Sequence, residues 1–209
     1  MKTENKISST EIAMIILAAG SSERMGQIKQ LLPWKQTTLL GNAIEQTLNA
    51  GISDIYVILG SDRNAIENSI KRYNITVIYN SDWKKGMGTS VSAAMKTILQ
   101  NKEYKAIIFS LADQPLITSA DLYILINNFK TSDKGIVSTK MNSHSGVPAI
   151  FDKKYFNELK ELKGDHGARF IISNNQKDNF SVNLEDHYID VDTIETYNSL
   201  VSKHQDFYK

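Results

Sequence analysis

The chain contains no cysteine. Disulfide frameworks, thiolate metal sites and cysteine nucleophiles are thereby excluded. It also lacks a dominant charge, because 24 Lys and Arg residues stand against 23 Asp and Glu, for a net +1. That balance excludes a broad basic field for gripping nucleic acid or an anionic membrane, so any cationic site must be local. No apolar run approaches the ~20 residues of a membrane-spanning helix. The run at residues 12–17 is bounded by charge on one side and a glycine loop on the other, and reads as a buried strand, not a signal. A cytoplasmic location is the expectation. With only 3 prolines, and without repeats or low-complexity tracts, the 209 residues contain no evident linker. The length suits one domain over residues 11–209, preceded by a polar and flexible segment, 1–10.

What is present is an alternation of two patterns. Continuous apolar runs at 12–17, Ile55–Leu59, 75–79 and Ala106–Leu111 suit parallel strands covered on both faces. Between them lie helical periodicities: Leu39–Asn49, capped by Thr37 or Thr38; 63–73; 90–100; and 120–130, capped by Thr118 or Ser119. The series predicts an α/β fold with right-handed crossovers and a doubly wound, mostly parallel sheet. Beyond Gly135 the spacing predicts shorter strands at 136–139 and 147–151, helices over 153–162 and Ala168–Asn174, and a last helix from Thr193. Ligands of such sheets bind outside the carboxyl ends of the strands, so those loops are the place to search.

The loop after the first strand reads LAAGSSERMGQIK, residues 17–29. Gly20 frees the backbone to turn and approach a ligand, Ser21 and Ser22 bring hydroxyls and amides, and Arg24 and Lys29 add two cations. Such a cradle suits a polyphosphate. It is neither a Walker A loop, since Gly26 is followed by Gln27, nor a dinucleotide fingerprint, since Ser22 stands where the second glycine belongs. At the end of the fourth run, Asp113 in LADQP would sit at the sheet edge facing that loop, and Pro115 would end the pairing. A triphosphate of about four negative charges is commonly met by Mg²⁺ on one or two carboxylates.

LAAGSSERMGQIKQLLPW resembles the signature of nucleotidyltransferases with the MobA-like fold, above all the molybdenum cofactor cytidylyltransferase branch. The resemblance implies a three-layer, Rossmann-like nucleotidyltransferase fold. It implies nucleotide contacts from Leu17, Ala18, Ala19, Gly20 and Ser21, with Arg24 and Lys29 on the phosphates. LADQP is similar to the family's metal segment, which makes Asp113 a Mg²⁺ ligand; Asp113, Arg24 and Lys29 are then the catalytic set. YIDVDT resembles the second metal segment, with Asp192 as partner ligand, Asp190 as a lesser candidate, and Ile194 in place of a proline. Asp190 and Asp192 are expected to share one face of a short strand that leads into the final helix. GMGTS is similar to a nucleotide-contact segment, implicating Gly86, Gly88 and Ser90, and GDHGAR resembles a second-substrate segment, implicating Asp165 and Arg169. SHSGVP departs from the pattern, since Val147 stands where a histidine is usual and His144 lies upstream.

The function so implied is Mg²⁺-dependent transfer of a nucleotidyl group, CTP being the favoured donor, onto the phosphate of a molybdopterin-type cofactor, with a molybdoenzyme as eventual partner. Two alternatives stay open: the same chemistry on another phosphate such as a sugar phosphate, and a non-catalytic accessory protein that carries the cofactor. Fold alone does not separate them.

Overall fold

A computed structural model describes residues 11–204; the expected flexible segment 1–10 lies outside the described residues, as does 205–209. The strands are β1 (Ile12–Ala18), β2 (Pro33–Trp34), β3 (Thr37–Thr38), β4 (Ile55–Leu59), β5 (Thr76–Tyr79), β6 (Ala106–Leu111), β7 (Ile136–Lys140), β8 (Ser145–Asp152) and β9 (Asn179–Asn183). The helices are α1 (Leu39–Asn49), α2 (Arg63–Ile70), α3 (Met87–Asn101), α4 (Ser119–Thr131), α5 (Phe156–Lys160), α6 (Ala168–Asn174) and α7 (Ile194–Lys203). The main sheet has 7 strands in the order β5-β4-β1-β6-β8-β7-β9. Only β8 runs antiparallel to its neighbours. The predicted α/β, mostly parallel architecture is therefore the observed one.

Burial explains the element types. β1 and β4 are buried at every position, as continuous apolar strands between two helical layers must be. Alternate residues feed opposite cores. Met14 and Ile16 join Val57 and Ile108 on one side, while Ala13 and Ile15 join Ile58, Ile107 and Phe109 on the other. Thr38 caps α1 by accepting from the Gly41 amide at 3.0 Å. Thr118 and Asp121 form a reciprocal capping box at the start of α4. Thr193 caps α7 through the Thr196 amide.

Several boundaries differ from the sequence reading. α2 stops at Ile70 rather than residue 73, α3 begins at Met87 rather than Ser90, and the helix expected over 153–162 divides into a 3-10 turn and α5. β9 was not anticipated, because NFSVN buries only Val182 and exposes Phe180 at the sheet edge. Segment 188–192 is not a strand.

A third, smaller core lies beside the sheet. Trp34, fully buried on the hairpin β2–β3, packs with Met25, Leu32, Leu39, Val191 and Leu200. It clamps the loop after β1 to the segment before α7, and Tyr197 adds a hydrogen bond of 2.6 Å from its hydroxyl to the Pro33 carbonyl. Among the described residues no helix is long and apolar enough to cross a membrane.

Candidate active site

β1 pairs with β4 on one side and β6 on the other, all parallel. The connections leave in opposite directions there, which opens a crevice at the carboxyl ends of β1 and β6. Two segments meet in it: the loop after β1 and the LADQP turn after β6.

The loop is built from local hydrogen bonds. Ser22 (φ 54) and Gly26 (φ 64) bracket a 3-10 turn over Glu23–Met25, and a second turn covers Lys29–Leu31. Gln30, only 2% exposed, ties the ends together by donating to the carbonyls of Ala18 (2.9 Å) and Gly20 (3.1 Å). Its carbonyl accepts from the Ser22 hydroxyl at 3.3 Å, and that hydroxyl accepts from the Lys29 amide at 3.2 Å. Sequence reasoning passed over Gln30. The available signal was a lone amide beside apolar Leu31 and Leu32, since buried polar groups are retained where they are fully bonded.

Four charged groups converge. The Lys29 ammonium bonds Asp113 Oδ2 and lies 3.3 Å from Asp192 Oδ1, while the Arg24 guanidinium reaches Asp192 Oδ2 at 3.1 Å. Arg24 is the most exposed member, with 73% of its side chain accessible against 41% for Asp192, 16% for Lys29 and 14% for Asp113. Burial by itself would lower the Lys29 pKa; the charge and hydrogen bond of Asp113, then those of Asp192, outweigh it and hold the ammonium above its usual range. The backbone makes the junction as well, since the Val191 amide donates to the Asp113 carbonyl at 2.8 Å. Residues separated by most of the chain are thereby set side by side.

A cleft of about 170 Å³ is walled by Leu17, Ala18, Ala19, Gly20, Lys29, Ser90 and Asp113, with Gln30, Trp83 and Met87. A more open one beside it holds Ser21, Arg24, Lys29 and Asp192. Ser90 sits one turn inside α3, with its hydroxyl accepting from the Asn80 amide group at 3.0 Å. Gly86 and Gly88 are not among the walls. A Cβ at Gly86 would meet the Gly164 carbonyl carbon at 2.3 Å, and one at Gly88 would meet the His166 oxygen at 2.7 Å. The structure thus gives these two glycines a packing reason: the turn before α6 lies directly on them.

A third cavity, about 260 Å³, shares Leu17, Met87 and Leu111 with the first and adds Gln114, His144, Val147, Asp165, Arg169 and Asp190. Asp165 does not cap α6, whose N-cap is Gly167. His144 borders Arg169; loss of hydration, then that positive charge, lowers its pKa. The expectation that Asp190 and Asp192 share a face is corrected here. With no strand to impose alternation, Asp192 turns to Arg24 and Lys29, while Asp190 turns to Gln114, whose side-chain nitrogen donates to Oδ1 at 2.9 Å. Asp190 is accessible along one edge, yet loss of hydration, then the negative charge of Asp113, pushes its carboxyl up to about 6.

Comparison with known proteins places the chain in a family. The sequence profile of the MobA-like NTP transferase domain matches residues 14–179. The chain is 30% identical over 185 residues to the molybdenum cofactor cytidylyltransferase of Escherichia coli (strain K12), covering 87% of this chain and 91% of that one. Its structure is similar to that of Rv0371c from Mycobacterium tuberculosis H37Rv, with a TM-score of 0.79 and 26% identity over 93% of this chain and 100% of the other. A complex of Rv0371c with manganese superposes with a TM-score of 0.74 at 25% identity, covering 92% of this chain and 99% of that one. The chain belongs to the MobA-like NTP transferase family, a family of nucleotidyltransferases.

Proposed function

We propose that this protein transfers a nucleotidyl group, CMP from CTP, to the phosphate of a molybdopterin-type cofactor and releases pyrophosphate. The observation that carries the reading is the meeting of Asp113, Lys29, Arg24 and Asp192 at the crevice between β1 and β6, with the third cavity adjoining. The relationship to a cytidylyltransferase supports the choice of CTP and of the acceptor.

The donor set suits a hard divalent cation. Asp113 Oδ1 is buried without a hydrogen-bond partner among the described residues, and a buried carboxylate oxygen left bare is costly unless a ligand completes it. Asp113 and Asp192 would hold Mg²⁺, and the manganese complex of a relative supports a metal in this family. Bound there, the ion would supply charge neutralisation on the phosphate oxygens.

The remaining work falls to the chain. Ala18–Gly20 and Ser90 line the space for the nucleotide, and Arg24 and Lys29 neutralise the triphosphate. An oxygen of the acceptor phosphate attacks the α-phosphorus, the bond to the bridging oxygen breaks, and pyrophosphate leaves with the electron pair. The acceptor is already an anion, so no residue must remove a proton, and positioning with charge stabilisation carries the rate. Asp165 and Arg169 line the adjoining cavity on the acceptor side, where Arg169 is able to grip a phosphate bidentately. A molybdoenzyme would be the recipient of the product.

Incubation with Mg²⁺, each of four nucleoside triphosphates and a panel of acceptors, read by pyrophosphate release, tests the reading. Turnover with CTP and the pterin phosphate is expected. Turnover only with a sugar phosphate replaces the acceptor, and cofactor binding without any turnover selects a carrier instead.

A further inference from the structure

Asp121, in the first turn of α4, has one more partner than its helix requires. Its side chain is 7% accessible, and Oδ2 accepts from the Thr118 amide at 2.8 Å and the Thr118 hydroxyl at 2.7 Å, which serves the capping box. The further partner is His187, whose Nδ1 lies 2.9 Å from the same oxygen. A carboxylate can only accept, so Nδ1 carries the hydrogen and the bond fixes how the ring is turned.

His187 belongs to the irregular stretch between β9 and α7 that also carries Asp190 and Asp192. This stretch runs back along the connection from β6 to α4 and is tied to it at both ends. His187 bonds Asp121 where α4 begins, and the Val191 amide donates to the Asp113 carbonyl at 2.8 Å just past the end of β6. Between the two ties, Gln114 donates to the Tyr188 carbonyl at 3.3 Å and to Asp190 Oδ1 at 2.9 Å. The Tyr188 hydroxyl reaches Asn142, in an exposed contact at 3.1 Å. A stretch fixed at one point pivots about it, whereas two fixed points define its direction. α4 is a firm support for the second point, because Leu122, Leu125, Ile126 and Phe129 are buried in the core beneath it.

We infer that His187 is a positioning residue: its bond to Asp121 holds residues 188–190 against Gln114 and thereby sets the Asp190 wall of the third cavity. His187 is not itself part of that wall. This rests on the reading of the third cavity as the place of the acceptor substrate. Without the bond the stretch pivots about Val191, so Asp190 loses its place first. Asp192 lies beyond the pivot and keeps Lys29 and Arg24. The effect therefore falls on the acceptor substrate and spares CTP.

The test compares the wild type with His187→Ala and His187→Asn in two measurements on the full chain: steady-state pyrophosphate release with CTP and the pterin phosphate, and hydrogen–deuterium exchange. Alanine leaves Asp121 its two Thr118 donors, and the His187 side chain is 37% accessible, so the fold should stand. His187→Ala should raise the Michaelis constant for the acceptor substrate about tenfold and leave that for CTP unchanged. Exchange should quicken about tenfold in peptides covering 187–191 and stay at the wild-type rate over α4. His187→Asn, whose side-chain nitrogen takes the place of Nδ1, should restore both. An alanine variant with wild-type behaviour, equal shifts in the two Michaelis constants, or no recovery with asparagine overturns the inference. If the wild type turns over no acceptor substrate, the reading of the function fails and exchange decides alone: a quickened stretch at 187–191 supports the positioning role, and an unchanged one overturns it.

Discussion

The loop after β1 and the segment before α7 bring charge to the same crevice by opposite means. The first is held from within: Gln30 binds the carbonyls of Ala18 and Gly20, and Ser22 joins Gln30 to the Lys29 amide, all within a few turns of chain. The second has no regular structure of its own and is held from outside. Val191 is buried against Trp34 and Leu39, its amide bonds Asp113, and Gln114 donates to the Tyr188 carbonyl and to Asp190. His187 adds a contact of 2.9 Å to Asp121 in the cap of α4. A locally held loop keeps its geometry wherever it is carried, while a segment held by neighbours takes the geometry of the assembly. The cations Arg24 and Lys29 belong to the first kind, and the aspartates of 190 and 192 to the second.

The point where both regions meet is Asp113, so its loss gives the largest effect. Asp113→Ala should lower pyrophosphate release by roughly 10²-fold or more if metal bridging supplies ~3 kcal/mol to the transition state. Circular dichroism should show an unchanged fold, since Lys29 retains Asp192 and the bare Oδ1 is removed. Near-normal turnover would remove Asp113 from the chemistry.

A matched pair separates the two regions. Gln30→Leu strips the loop of its internal bonds and leaves two backbone carbonyls to find new donors. It should cost about 2 kcal/mol of stability and raise the Michaelis constant for CTP about tenfold, with the acceptor constant unchanged. Val191→Ala opens a void in the third core and should cost about 1–2 kcal/mol. Its kinetic effect should appear in kcat through Asp192, not in CTP binding. If the two variants share one kinetic signature, the distinction between the regions fails.

The smallest effect concerns Asp190. With its carboxyl raised from 3.8 to about 6, the native protein holds a proton that the unfolded chain has released in that interval, so stability declines as pH rises through it. Asp190→Asn removes the decline while keeping an oxygen for Gln114. In metal-free protein the thermal midpoints of variant and wild type should coincide below about pH 4, and the variant should melt higher near pH ~7. An equal difference at both values would show that the carboxyl does not titrate as described.

Legibility in the sequence follows the same division. The runs that became β1, β4 and β6, and the caps at Thr38 and Thr118, could be read directly because burial on both faces and side-chain capping are short-range requirements. Arg24, Lys29, Asp113 and Asp192 were named from motifs, and the fold brings all four together. Gly86 and Gly88 were named too, but what their missing side chains accommodate is the turn at 163–166, a neighbour distant in sequence. Gln114 is not legible in this way, because an amide in a turn gives no sign of what it will face, while for Gln30 the one signal is its place beside apolar Leu31 and Leu32.

By itself the sequence determined the α/β layering, the glycine-bearing loop after β1 and the identity of the charged residues, since periodicity, glycine freedom and charge are properties of neighbours along the chain. Tertiary structure alone decided that Asp192 serves the cleft of Lys29 and Asp190 the cavity of Gln114. The segment that carries them has no helix or strand to fix its side chains, so their directions come from what the fold packs around them.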